Sequence, residues 1–82
     1  MKYFTKKIYT YFGDSEFIFN RSSMEDAARY FISVRDGEGK GLLFTMEGKG
    51  DAWRIINAPQ VPDWVLQSEN VLAEEIMRHN AN

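Results

Sequence analysis

Glu75 and His79 stand one helical turn apart, a spacing at which a carboxylate and an imidazole can share a metal ion. Two further ligands would be needed, and no pattern in the chain supplies them. His79 is the one His, and there is no Cys. Thiolate nucleophiles, disulfides and Cys-based metal sites are therefore excluded. A Ser–His–Asp arrangement needs its imidazole held rigidly. His79 lies near the C-terminus, where the plainer expectation is a cation complementing the end of a helix.

Asp36–Glu47 (DGEGKGLLFTME) has some features of an EF-hand calcium loop. Asp36, Gly41, Leu43 and Glu47 fall at its first, sixth, eighth and twelfth positions. Lys40 stands where a ligand oxygen belongs, Phe44 occupies another ligand position, and Gly48-Lys49-Gly50 will not start the exiting helix. A glycine-rich turn into a strand explains these residues without calcium. The Gly-Lys-Gly triplets also lack the strand–loop–helix context and the full G-x-x-x-x-G-K-S/T pattern of a phosphate cradle. Among twelve acidic residues no spacing singles out a catalytic pair. The expectation is a non-enzymatic protein with no cofactor and no metal.

Something must position the side chains that remain. Eighty-two residues make a single domain, 1–82, with 80–82 expected to fray. Two Trp, four Tyr and six Phe supply much burial area for so short a chain. The net charge of −2 gives no general attraction for nucleic acid or acidic lipid. Lys2, Lys6 and Lys7 open the chain, while Asp63, Glu69, Glu74 and Glu75 crowd its end. No signal-peptide pattern and no membrane-length apolar run is visible. A soluble, cytoplasmic protein with no membrane partner is expected.

The pattern of residues predicts an α+β fold in the order ββαββα, a four-stranded antiparallel sheet with two helices packed on one face. Residues 2–12 and 16–20 are rich in aromatic and β-branched residues and flank Gly13-Asp14-Ser15, which reads as a hairpin. Ser22 with Glu25 forms a capping box, and Met24, Ala27, Ala28, Phe31 and Val34 recur at helical spacing. Residues 42–47 and 52–57 form a second hairpin across Gly48–Asp51. Ala58–Pro62 is a linker. Asp63 or Ser68 opens a last helix with Val65, Leu72 and Ile76 on one face.

Alternation along the strands divides the sheet into two faces. Four-residue loops pair Phe12 with Phe17, Met46 with Trp53 and Phe44 with Ile55. Ile8, Phe12, Phe17 and Phe19 then face the helices with Leu42, Phe44, Met46, Trp53 and Ile55. The opposite face carries Tyr3, Lys7, Tyr9, Tyr11, Ile18, Leu43, Arg54 and Ile56. These eight are the candidate binding residues, since an uncovered apolar face of this kind marks a contact surface. Trp53 and Trp64 are assigned to the core.

The strand Glu16–Asn20, the helix opening Ser-Ser-Met-Glu-Asp-Ala-Ala (Ser22–Ala28) and the hairpin Leu42–Asn57 together resemble the plan of small phage-encoded inhibitors of the anti-CRISPR type. The resemblance is one of element order and covers most of the chain, without a shared motif. It implies stoichiometric blockade of a larger host complex by surface complementarity and assigns no binding residue. A protein partner, a host complex or a second copy, is the first expectation. A platform for single-stranded nucleic acid is the second, with bases stacked on Tyr and phosphates met by Lys2, Lys6, Lys7 and Arg54. A homodimer with a substrate site at its interface is the third.

Overall fold

A computed structural model of the chain describes residues 3–22 and 28–80. Five strands run in sequence order: β1 (Tyr3–Thr10), β2 (Gly13–Arg21), β3 (Arg29–Arg35), β4 (Gly41–Lys49) and β5 (Ala52–Ile55). They form one antiparallel sheet, each strand beside the next. A 3₁₀ turn (Ala58–Gln60), a single helical turn α1 (Asp63–Leu66) and a helix α2 (Glu69–Asn80) follow. Asn57 takes the left-handed conformation (φ 58°) before this turn, which Asn tolerates better than most residues.

The fold is α+β with an antiparallel sheet and helices, as expected, but the described residues form five strands and not four. The expected helix through Phe31 and Val34 is β3. Tyr30, Ile32 and Val34 are buried, whereas Phe31 and Arg35 are exposed, the period-two alternation of a half-buried strand. Tyr, Phe, Ile and Val also favour pleated backbone over helix. The helical spacing of Ala28, Phe31 and Val34 was compatible with that alternation but did not decide it. Ser23–Ala27, with most of the capping box and Met24, lies outside the described residues.

Both hairpins are tighter than expected. Thr10 pairs with Gly13 across Tyr11 and Phe12, and Lys49 pairs with Ala52 across Gly50 and Asp51. Phe19 therefore lies opposite Phe4, and Met46 opposite Ile55. Each correction shifts the register by an even number of residues, so the paired side chains stay on their expected faces, while Tyr11 and Phe12, expected on opposite faces of the sheet, fall in the turn. Gly13 closes the first turn at φ 83°, a conformation costly for any residue with a Cβ. The Thr10 hydroxyl lies 2.8 Å from that of Ser15 and accepts from Phe12 N–H at 3.1 Å, tying off the hairpin end.

The inner face gathers Phe17, Phe19, Ile32, Met46, Val65, Leu72 and Ile76, all fully buried, with Ile8, Tyr30, Phe44, Trp53 and Ile55 around them. Val65, Leu72 and Ile76 are the helical residues expected to face the sheet. Helix α2 is fastened at both ends. At its start the Glu69 carboxylate accepts the Ile55 N–H at 2.8 Å. At its end Tyr30 donates to Asn80 Oδ1 at 2.8 Å, so Asn80, expected to fray, is held. The His79 ring stacks on Phe4 at 3.5 Å between centroids, and Phe4 stacks on Phe19 at 4.5 Å.

Gly48 lies directly opposite Trp53, and the indole lies across it. A Cβ at Gly48 would stand 2.7 Å from Trp53 Cε2 and Cζ2. The indole is itself packed edge-on to Tyr30 at 5.4 Å. Gly48→Ala is expected to destabilise the fold by about 1–3 kcal/mol, as core overpacking does, read from the midpoint of chemical denaturation at constant slope.

Burial raises the Tyr30 pKa above the ordinary tyrosine value, and the Arg21 guanidinium only partly opposes it. The folded state therefore keeps this proton after the unfolded chain has lost it. Stability linked to Tyr30 is full below the unfolded-state pKa near 10 and falls as pH rises through the higher folded-state value. Denaturation midpoints across that alkaline window should fall with pH, and less steeply in Tyr30→Phe.

Candidate functional site

The helices cover one face of the sheet, and the register maps the other. Four lateral rows cross it. Arg29, Glu47 and Arg54 make the first, with Arg29 opposite Glu47 and Glu47 opposite Arg54. Tyr3, Asn20, Phe31 and Thr45 make the second, and Ile56 extends it by donating its N–H to Thr45 O at 3.0 Å. Thr5, Ile18, Ser33 and Leu43 make the third. Lys7 and Glu16 make the fourth, with Arg35 in the same row on β3.

The two middle rows form an apolar band between two charged ones. Leu43 is 70% exposed, Tyr3 56%, Phe31 40% and Ile18 36%. Ile18 lies directly opposite Ser33, whose chain neighbour on the same face is Phe31. Leu43 is likewise opposite Ser33, so Phe31 is the diagonal neighbour of both Ile18 and Leu43. Ile56 is half-buried beside Leu43, and the two edge a dent of about 160 Å³ that reaches Gln60 and Val61. Along the charged border Arg29 grips Glu47 through Nη2 at 3.0 Å and Nε at 3.1 Å. Both nitrogens meet the one oxygen Oε2, which ties β3 to β4 along that border.

The structure brings Tyr3, Ile18, Leu43 and Ile56 into this band and places Arg54 on its border. Lys7 shares the face but sits in the far charged row, opposite Glu16. Tyr9 lies beyond it, opposite Asp14. Tyr11 is not on the sheet face: it belongs to the β1–β2 turn, 83% exposed, with its ring edge-on to Phe12 at 5.1 Å. Phe31 was missed because it was assigned to a helix. The signal that could have found it is the burial-prone series Tyr30, Ile32, Val34, which places Phe31 outward.

Beyond the Ile18–Ser33 pair, β2 and β3 part, leaving a notch of about 580 Å³ in the sheet beside the band. Asp14, Glu16 and Arg35 border it, and Phe12 stands at its end. Phe12 was expected to pair with Phe17. In the turn it packs edge-on to Trp64 at 5.1 Å and lies against Gly37.

The other chemistry-bearing residues have structural partners. The Asp36 carboxylate accepts from the N–H groups of Glu38 and Lys40 at 2.9 and 2.8 Å, an Asx turn. Glu47, the last position of the calcium-like loop, is held by Arg29. Glu75 is buried and turned toward Arg78 at 3.0 Å and Lys6 at 3.9 Å, away from the His79 ring on Phe4. Among the described residues no group of three or more His, Cys, Asp or Glu side chains is placed to hold a metal ion. No helix there is long and apolar enough to cross a membrane. Comparison with protein-family models, curated proteins and solved structures finds no match to this chain.

Proposed function

We propose that this chain is a non-enzymatic protein-binding module whose contact surface is the apolar band Tyr3–Ile18–Phe31–Leu43–Ile56. The observation that carries the proposal is Leu43. It is 70% exposed on β4, among other apolar side chains and between two charged rows. An apolar centre with a polar rim is the anatomy of a protein–protein interface. Tyr and Phe there offer contact area with few rotamers to freeze.

Charge placement favours a protein partner over single-stranded nucleic acid. At the border of the band Arg29 is gripped by Glu47, and Arg54 lies opposite the same carboxylate, so a phosphate approaching these cations also meets an acid. In its most specific form the reading is of an inhibitor from a phage or mobile element that blocks a larger host complex by surface complementarity. That form rests on the anti-CRISPR resemblance alone.

The test is capture from nuclease-treated lysate of the source cell, comparing wild type with Phe31→Asp/Leu43→Asp. One stoichiometric protein partner is expected, and the variant should bind it more than about tenfold more weakly. Its denaturation midpoint should change little, because both side chains are exposed. Undiminished capture by a folded variant would refute the band. Loss of binding on nuclease treatment would favour nucleic acid, and a homodimer that the variant splits would identify the partner as a second copy.

A further inference from the structure

The two edges of the sheet are finished differently. β5 has four residues, and the Ile55 N–H on its outer side is taken by Glu69. β1 has eight residues and, among the described residues, pairs only with β2. Among the described residues, nothing bonds to the other edge of β1 between Tyr3 and Tyr9. A strand with one neighbour leaves alternate N–H and C=O groups unpaired, which templates a further strand.

We propose that β1 is a strand-addition site for an extended acidic segment of a partner protein. The inference is independent of the apolar band, because it uses the backbone edge and not the sheet face. Main-chain hydrogen bonds supply affinity in this mode, and alternate side chains supply selection. The selecting residues here are Lys6 and Lys7 at mid-strand. They project to opposite faces, so two consecutive acids in an incoming strand can meet one on each face. Both remain accessible. The Lys6 side chain is 46% exposed despite Glu75 at 3.9 Å, and Lys7 is exposed beside Glu16 on β2.

The same lysines argue against a second copy as occupant. An antiparallel β1–β1 pair that keeps the two faces continuous places Lys6 opposite Lys6 or Lys7 opposite Lys7 in its longest registers. Like charges directly opposite each other destabilise a ladder, and opposite charges stabilise it. Thr5 and Tyr9 flank Lys7 on the outer face, and Tyr9 stands opposite the position next to the incoming acid on that face, where it can cover an apolar residue.

The probe is a synthetic peptide of about ten residues, a typical long strand, alternating Val and Thr around two adjacent central Glu. A control peptide carries two central Lys instead. Amide exchange and chemical shifts are followed by NMR on the isotopically labelled whole chain. The acidic peptide should slow exchange at alternate β1 amides and leave β3 and β4 unchanged. The lysine peptide should bind roughly tenfold more weakly, as two reversed cross-strand charge pairs imply. Added salt should narrow that gap, and Lys6→Glu/Lys7→Glu should invert the preference. Binding that survives in Phe31→Asp/Leu43→Asp keeps the edge separate from the band. Equal affinity for both peptides, protection at the band or the β2–β3 notch, or no β1 protection at about millimolar peptide would each overturn the proposal.

Discussion

Val65, Leu72 and Ile76 press on the inner face of a sheet that has two faces, while the described residues provide helices for only one of them. The rest of the molecule is arranged around that imbalance. The chain has no Cys, so no disulfide assists a core that is small by the standards of larger domains. Large aromatic side chains compensate. Phe17 and Phe19 are fully buried, and Tyr30 bridges Phe19 and Trp53 by edge-on contacts at 6.5 and 5.4 Å. Such geometry adds to what burial alone contributes.

Polar groups then fix the place where that apolar contact occurs. Glu69 takes the last amide of β5, and Tyr30 takes Asn80 at the other end of α2. Between them Glu75 sits buried against Arg78 and within reach of Lys6 on β1. The helix therefore spans the sheet with anchors on β5, β3 and β1. An outer face backed in this way is held rigid, and a rigid surface loses less entropy when it binds. The polar residues that at first suggest chemistry, Asp36, Glu47, Glu75 and His79, serve instead as a turn acceptor, a cross-strand acceptor, a buried anchor and a stacking ring.

The sequence made the two faces of the sheet legible even though the loop lengths were misjudged. Side chains alternate with a period of two, so an even shift in register moves partners without turning any residue over. Tyr3, Ile18 and Leu43 could thus be placed outside from alternation alone. The third strand was not legible in the same way. Ala28, Phe31 and Val34 fit a helical stripe, and the Ser22–Asp26 segment carries strong helix-start chemistry. Only pairing with β2 and β4 makes the alternation of Tyr30, Ile32 and Val34 decisive, and pairing between distant segments is not written in local composition. The missed strand also hid Phe31, which completes the band. The tight turns were obscured because Gly13 reads equally well as the start of a longer loop.

The band can meet a partner only if its face of the sheet is open in the free protein. Paramagnetic relaxation enhancement by a soluble, uncharged gadolinium chelate reads this directly at side-chain methyl and aromatic protons. Strong broadening is expected at Leu43, Phe31 and Ile18 and little at Ile32, Leu72 and Ile76, with the same pattern on dilution. Protection of Leu43 and Phe31 to the level of Ile32 would show the face already covered and would leave no open band for a partner.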